Sequence, residues 1–440
     1  MNMMTQRSKR NLIISVVVVL IVGIAIGATL IVLNPSAPAK EKVVMIVMSG
    51  PEAEYIKKAA EVFNAEAAQE LNVQLEIVEL GRDQYFDKVK TALLGRSKEF
   101  DIAWLINLDI AQYAKAGVIE PLDGYISDRN SMKYDINEFL PIALEGVKYK
   151  GKTYAIPLWI STMFLYYRTD LVSPNEIDEW DKFIETAKRF TKSYNPNSST
   201  DYGTTIFGAP FVTMPMEWYI YLWSYGGEII KDGLPVFNNP AGLKAANTYY
   251  QLVKHGIVPP DWNTYEYPKV LEAIKNGKVA FGIQWDAAYF EIKSALGDKV
   301  EIMPPPAAPG GKPAAYTHTW TMVINGASDK KAAAFKVMTW LTLDDKGAQL
   351  LGSFGLPIPT RKVLTNPTFK EKAPHWEKMY NQILNYGHSL PVAASFSPIQ
   401  DRLIFYLSKM LSGELTPQDA LNKAAEEAVN IMKEAGEYGA

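Results

Sequence analysis

Ten tryptophans, 24 tyrosines and 17 phenylalanines are the main chemical resource of this 440-residue chain. They are flat apolar faces, many with a hydrogen-bonding edge. Groups that usually make and break bonds are sparse. There is no cysteine, which excludes disulfides, thiolate metal sites and cysteine nucleophiles together. The four histidines, His255, His318, His375 and His388, include no pair at the i, i+4 spacing of a helical metal site. No GxSxG or HExxH motif is present. A glycosidase-like carboxylate pair is not excluded, but nothing singles one out among 48 acidic residues. With 45 basic residues the net charge is −3, so there is no electrostatic footprint for nucleic acid.

Such residues must be positioned by a large framework. A chain of 440 residues exceeds the roughly 250–300 at which one core stops growing, so two packed units are expected. With 48% hydrophobic and 21% charged residues the chain is globular. Leu12–Leu33 is an apolar run that, as a helix at about 1.5 Å per residue, reaches roughly 33 Å and spans a bilayer core. Arg7, Lys9 and Arg10 precede it and no basic residue follows until Lys40. The positive-inside rule then leaves residues 1–11 in the cytoplasm and everything after a 34–42 linker outside. A single-pass anchor is favoured over a cleaved signal peptide, although Ala37-Pro38-Ala39 has the form of a cleavage site.

Beyond the linker, Val43–Met48 reads as a buried strand, Glu52–Asn64 as a helix, Val73–Leu80 as a strand, Asp83–Leu94 as a helix and Asp101–Leu105 as a third strand. That alternation is the pattern of a parallel α/β sheet, whose ligands bind beyond the carboxyl ends of the strands. A hairpin around Lys150-Gly151 and a strand at Met163–Arg168 come next. Helices are expected from Trp180, over Trp218–Tyr225 and over Asn239–His255. Strands return at Val279–Gln284, Val300–Met303 and Thr321–Ile324, before a helical tail in which Thr416-Pro417 caps the last helix.

Several of these stretches, in this order, resemble the extracellular solute-binding proteins of ABC importers, in the large group that includes maltose-binding protein. They are Phe100-Asp101-Ile102 with Tyr113–Ile119, Tyr149–Pro157 with Leu165–Leu171, Asp178–Asp181, Ser224–Gly227, and Asn276–Gly282 with Trp285. The resemblance implies a two-lobed α/β fold of the periplasmic-binding-protein type, with a ligand cleft between lobes. The N-lobe would be 43–157 plus 279–326, and the C-lobe 158–278 plus 327–440. It further implies a substrate-binding component, not an enzyme, that captures an extracellular carbohydrate (an oligosaccharide is favoured) by hinge closure and hands it to permease subunits. No cofactor or metal is implied. A non-sugar solute such as a peptide, polyamine or anion, or a secreted carbohydrate-active enzyme, remains the alternative. The membrane helix replaces the lipid-modified cysteine of many bacterial members, as in many archaeal ones.

A sugar offers apolar C–H faces to rings and a rim of hydroxyls to carboxylates, amides and arginine. Ser49, Glu79, Asn107 and Asp109 lie at strand ends where such a cleft should be, with a helix cap the competing role for Asp109. Trp159 follows the first crossing between lobes, Trp285 and Asp286 end a strand, and Trp320 begins one. Trp218, Tyr225 and Gly226 belong to the helix that ends in paired glycines, and Arg361 to a loop near the cleft. These are the expected ligand residues. Trp104, Trp180 and Trp340 are expected in the core.

Overall fold

The computed structural model describes residues 40–128 and 132–439; the expected anchor at 12–33 lies outside them. Among the described residues no helix is long and apolar enough to cross a membrane. In the first third, β1 (Glu41–Met48), α1 (Pro51–Val62), β2 (Val73–Leu80), α2 (Arg82–Leu94), β3 (Ile102–Ile106) and α3 (Asn107–Lys115) alternate as anticipated. β1 pairs in parallel with both β2 and β3, so its side chains are buried on both faces from Met45 to Met48. The buried Tyr85 hydroxyl locks α2 to β3, donating to the Trp104 carbonyl at 2.8 Å and accepting from its N–H at 2.7 Å.

The helix α4 (Pro141–Glu145) leads to the hairpin β4 (Lys148–Tyr149) and β5 (Lys152–Thr153). Its turn holds Lys150 and Gly151 at φ 48° and 76°, the mirror-image geometry that hairpins favour. β6 then runs unbroken over Ala155–Arg168, longer than the strand expected at Met163–Arg168. Pro157 sits inside it, at an irregularity where Trp320 faces Trp159 but Thr321 faces Pro157. A residue without an N–H is tolerated at such a bulge.

The second unit contains α5 (Trp180–Arg189), α6 (Thr213–Ser224), the small hairpin of β7 (Ile230–Lys231) and β8 (Leu234–Pro235), α7 (Pro240–Lys254), β9 (Phe281–Trp285) and β10 (Val300–Met303). β11 (Ala315–Ile324) returns to the first unit, where α8 (Lys331–Thr342) and α9 (Asp345–Ser353) follow. The chain ends with α10 (Trp376–Tyr386), β12 (Gly387–His388), α11 (Phe396–Leu411) and α12 (Pro417–Ala435). Thr416 caps α12 through the Asp419 N–H at 3.1 Å. Asp344 caps α9 through Lys346 N–H at 2.9 Å, a capping role that fits the Asp344-Asp345 pair.

One sheet in the order β10-β6-β11-β3-β1-β2 joins both units, and β6 and β11 are its shared strands. The first half of β6 pairs with β11 beside β3; its second half, Met163–Arg168, pairs with β9 and β10. The expected division is corrected on two counts. Residues 279–303, placed with the N-lobe, pair with the far end of β6. Residues 331–353, placed with the C-lobe, pack through α8 on β1 and β2 and through α9 on α1. Hydrophobic periodicity finds helices but does not say which sheet face they cover.

Glu217 lies in the core of the second unit, 1% exposed. It accepts from the Phe207 N–H at 2.7 Å and the Tyr221 hydroxyl at 3.3 Å. Burial pushes its carboxyl up to about 8, so it is protonated at neutral pH. An acid whose pKa is raised on folding destabilises progressively as pH climbs from its unfolded value to its folded one. Glu217→Gln should therefore match the parent near pH 4 and exceed it by about 2–4 kcal/mol at pH 8. Urea denaturation at both pH values checks this; an equal difference at both would refute the buried neutral acid.

Candidate ligand cleft at the shared strands

Strand geometry builds the candidate floor of a cleft. Side chains two residues apart share a face, so Tyr316, His318 and Trp320 on β11 lie together. Opposite them on β6, His318 faces Ser161 and Trp320 faces Trp159. The Trp159 and Trp320 rings stack with centroids 5.1 Å apart and an interplanar angle of 15°. Trp104 meets Trp159 edge-on at 5.1 Å, and half-exposed Phe86 approaches Trp320 at 6.4 Å. On the other side Trp285 contacts His318 at 4.6 Å and Tyr316 at 5.5 Å. Trp159, Trp285 and Trp320 each keep 7% of their surface accessible.

Asp286 follows Trp285 and crosses back to β6. Its Oδ1 accepts from the Thr162 N–H at 2.9 Å and, closer still, from the Ser161 hydroxyl. Burial pushes the carboxyl up to about 6; these two bonds oppose the shift, and Glu52 at the start of α1 adds to it. Burial holds His318 down to about 3, a neutral imidazole throughout the physiological range. Its Nδ1 and the Tyr316 hydroxyl are buried without hydrogen-bond partners. Buried polar atoms seldom stay unpaired, and these two lie among the rings.

The other expected residues divide. Asn107 is 3% exposed, its amide bonded to the Thr319 N–H and to Ser389, which makes it a brace and not a ligand group. Asp109 is not the cap of α3, which starts at Asn107. It lies in the first turn, held by the Gln112 amide at 2.8 Å, and burial pushes it up to about 6. Ser49 is exposed beyond β1, its N–H donating to the Leu80 carbonyl at 2.8 Å. Glu79 is paired with Lys57 of α1 at 2.7 Å, which ties β2 to its covering helix. Arg361 is exposed in the short helix Arg361–Leu364.

Trp218 is the clear correction. It is 0% exposed and packs on Tyr219 and Phe237, with no face open to a cleft. Half-buried Tyr225 bonds Thr248 at 2.9 Å, and Gly226 takes φ 74° to end α6. The ring of α6 that reaches the shared strands is Trp223, stacked on His388 at 4.9 Å and near Tyr316 at 6.2 Å. Tyr316, His318 and Ser161 were missed from the sequence. Counting back by two from Trp320, had β11 been read as starting at Ala315, would have found Tyr316 and His318. Among the described residues no cluster of metal-ligating side chains exists.

The pattern of the family described as bacterial extracellular solute-binding protein matches residues 58–377. The chain belongs to that family. A binding protein of Brucella abortus (strain 2308) is 27% identical over 426 residues, 93% of this chain and 98% of that one. The mannitol-binding protein of Pseudomonas aeruginosa is 22% identical over 402 residues, 83% of this chain and 88% of that one. Among solved structures, maltose-bound MalE3 of T. maritima superposes with a TM-score of 0.75 at 26% identity, covering 88% of this chain and 98% of that one. An ABC transporter solute-binding protein of Thermotoga lettingae with bound tagatose gives 0.75 at 21%, covering 89% and 100%. The two-lobed α/β arrangement around shared strands is thus that of solute-binding proteins of ABC transporters.

Proposed function

We propose that this family member captures a carbohydrate, a sugar or sugar alcohol, between its lobes and delivers it unchanged to the permease of an ABC importer. The observation that carries this reading is the row of rings on the shared strands beside Asp286. Trp159, Trp320 and Trp285 offer flat faces to C–H groups; Asp286, His318 and Tyr316 offer acceptors and donors to hydroxyls. Four rings in a row, from Phe86 through Trp320 and His318 to Trp285, suit a ligand longer than one sugar ring, and so an oligosaccharide. The names of relatives that bind maltose, tagatose and mannitol point the same way. Contacts made only with the lobes shut would shift the population toward the closed form. The apolar run at 12–33 would tether the protein, folded part outward.

Thermal unfolding of the residue 40–440 fragment against mono- and oligosaccharides, sugar alcohols, amino acids and polyamines tests the reading. A ligand at a hundred times its Kd adds about 2.7 kcal/mol, so an oligosaccharide should raise the midpoint by several degrees. Stabilisation by polyamines or amino acids alone would refute the carbohydrate assignment. Appearance of a cleaved product would replace capture with hydrolysis.

A further inference from the structure

Where β11 changes neighbours, one side chain replaces the ladder. β3 pairs with β11 only from Trp320 onward, Ile106 standing opposite Trp320. β12 takes up β11 again at Ala315 and Tyr316. Between them the buried Thr319 N–H points to neither strand; it donates to Asn107 Oδ1 at 3.1 Å. The same amide donates through Nδ2 to Ser389 Oγ at 3.1 Å, one residue beyond β12. Asn107 itself opens α3 of the first lobe, while Ser389 follows His388, whose ring stacks on Trp223 of the second unit. Gly146, which ends α4, closes the remaining side: a Cβ there would stand 2.8 Å from Asn107 Nδ2 and 3.2 Å from its Cβ.

We propose that Asn107 is the pin of the hinge, a positioning residue that fixes the angle between the lobes before any ligand arrives. One bond holds the shared strand to the first lobe through the Thr319 N–H, and the other holds the first lobe to Ser389. Both bonds lie at the point where the sheet must flex for the lobes to separate. Removing the amide strands a buried donor, and the strand regains a partner by letting water in, which requires the lobes to part. The effect on affinity follows from the ligand-capture reading above, because a smaller closed fraction lowers apparent affinity in proportion; the effect on the ligand-free protein does not depend on it.

The absence of cysteine makes the test clean. Glu61→Cys and Lys244→Cys, on exposed positions of α1 and α7, carry spin labels that report the interlobe distance. Asn107→Ala should broaden the ligand-free distance distribution and move it to longer values. Ser389→Ala should produce part of that shift. Gly146→Ala, at a φ of −66° that suits alanine, should reproduce it by displacing the amide, and decides the matter if Asn107→Ala fails to fold. A sugar found in the thermal screen should bind Asn107→Ala about tenfold more weakly, yet restore the parent distance at saturation. An unchanged ligand-free distribution in both variants overturns the hinge role, and if affinity still falls, Asn107 touches the ligand instead. If no carbohydrate moves the parent distances, the capture reading fails while the ligand-free comparison still stands.

Discussion

Asp286→Asn should cost most of the ligand affinity and at the same time stabilise the empty protein. The asparagine keeps an oxygen that can accept from both Ser161 and the Thr162 N–H, so the local fold has what it needs. It removes a carboxylate whose pKa burial raises from 3.8 to about 6. For an acid shifted upward the sign is fixed. The penalty is absent below about pH 4, grows to about pH 6 and is constant above. The substituted protein should therefore gain about 1–3 kcal/mol at pH 7 and nothing at pH 4. Binding moves the other way. A carboxylate accepts hydroxyl donors in charge-assisted bonds stronger than those to a neutral amide, so the loss is on the order of 2–3 kcal/mol, roughly 30- to 150-fold. In the parent, ligand bonds to the ionised form would lower its pKa. Affinity should be flat above pH 7 and fall by up to tenfold per unit below about pH 6, whereas the asparagine variant should show no such slope. Calorimetric titration from pH 5 to 8 with the best sugar is decisive. Equal affinities at pH 7.5 would remove Asp286 from the ligand site.

The order of elements was open to reading because each rests on local physics. Val73–Leu80 and Val300–Met303 coincide with observed strands, and Thr416-Pro417 does cap α12, since alternation and capping need only neighbouring residues. What was hidden is non-local. Whether β9 joins the first or second lobe depends on which half of β6 it meets, and both halves are apolar on both faces. Trp218 and Trp223 are five residues apart on one helix that is buried all round, so no polar face told which ring looks toward the shared strands. His318 carried no motif. It matters because Ser161 stands opposite and Trp285 beside it, and these come from two other stretches of chain. Asn107 was expected as a ligand group at the end of the third strand, but its partners, Thr319 and Ser389, lie some two hundred residues and more away, and they make it a brace.

Trp320→Ala is expected to abolish carbohydrate binding to the limit of calorimetric detection. Its ring is one half of the stacked pair with Trp159 and touches both wings of the floor, Phe86 on one side and His318 on the other. Removing it would delete a surface that the capture reading gives to the sugar and would free Trp159 to tilt, so the loss should exceed that of one contact. Stacking and burial of an aromatic anchor are worth several kcal/mol in an interface core, enough to turn micromolar binding into millimolar. The same change also empties a packed site, with an expected stability loss of about 3–5 kcal/mol. That loss needs a matched control. Trp376 is 2% exposed and packs on Phe369 and Tyr380, away from the floor. Trp376→Ala should lose similar stability, yet the folded fraction should bind sugar with parental affinity. The ratio between the two variants separates stacking from stability. If both bind alike, whether well or badly, the rings on the shared strands are core and the ligand lies elsewhere.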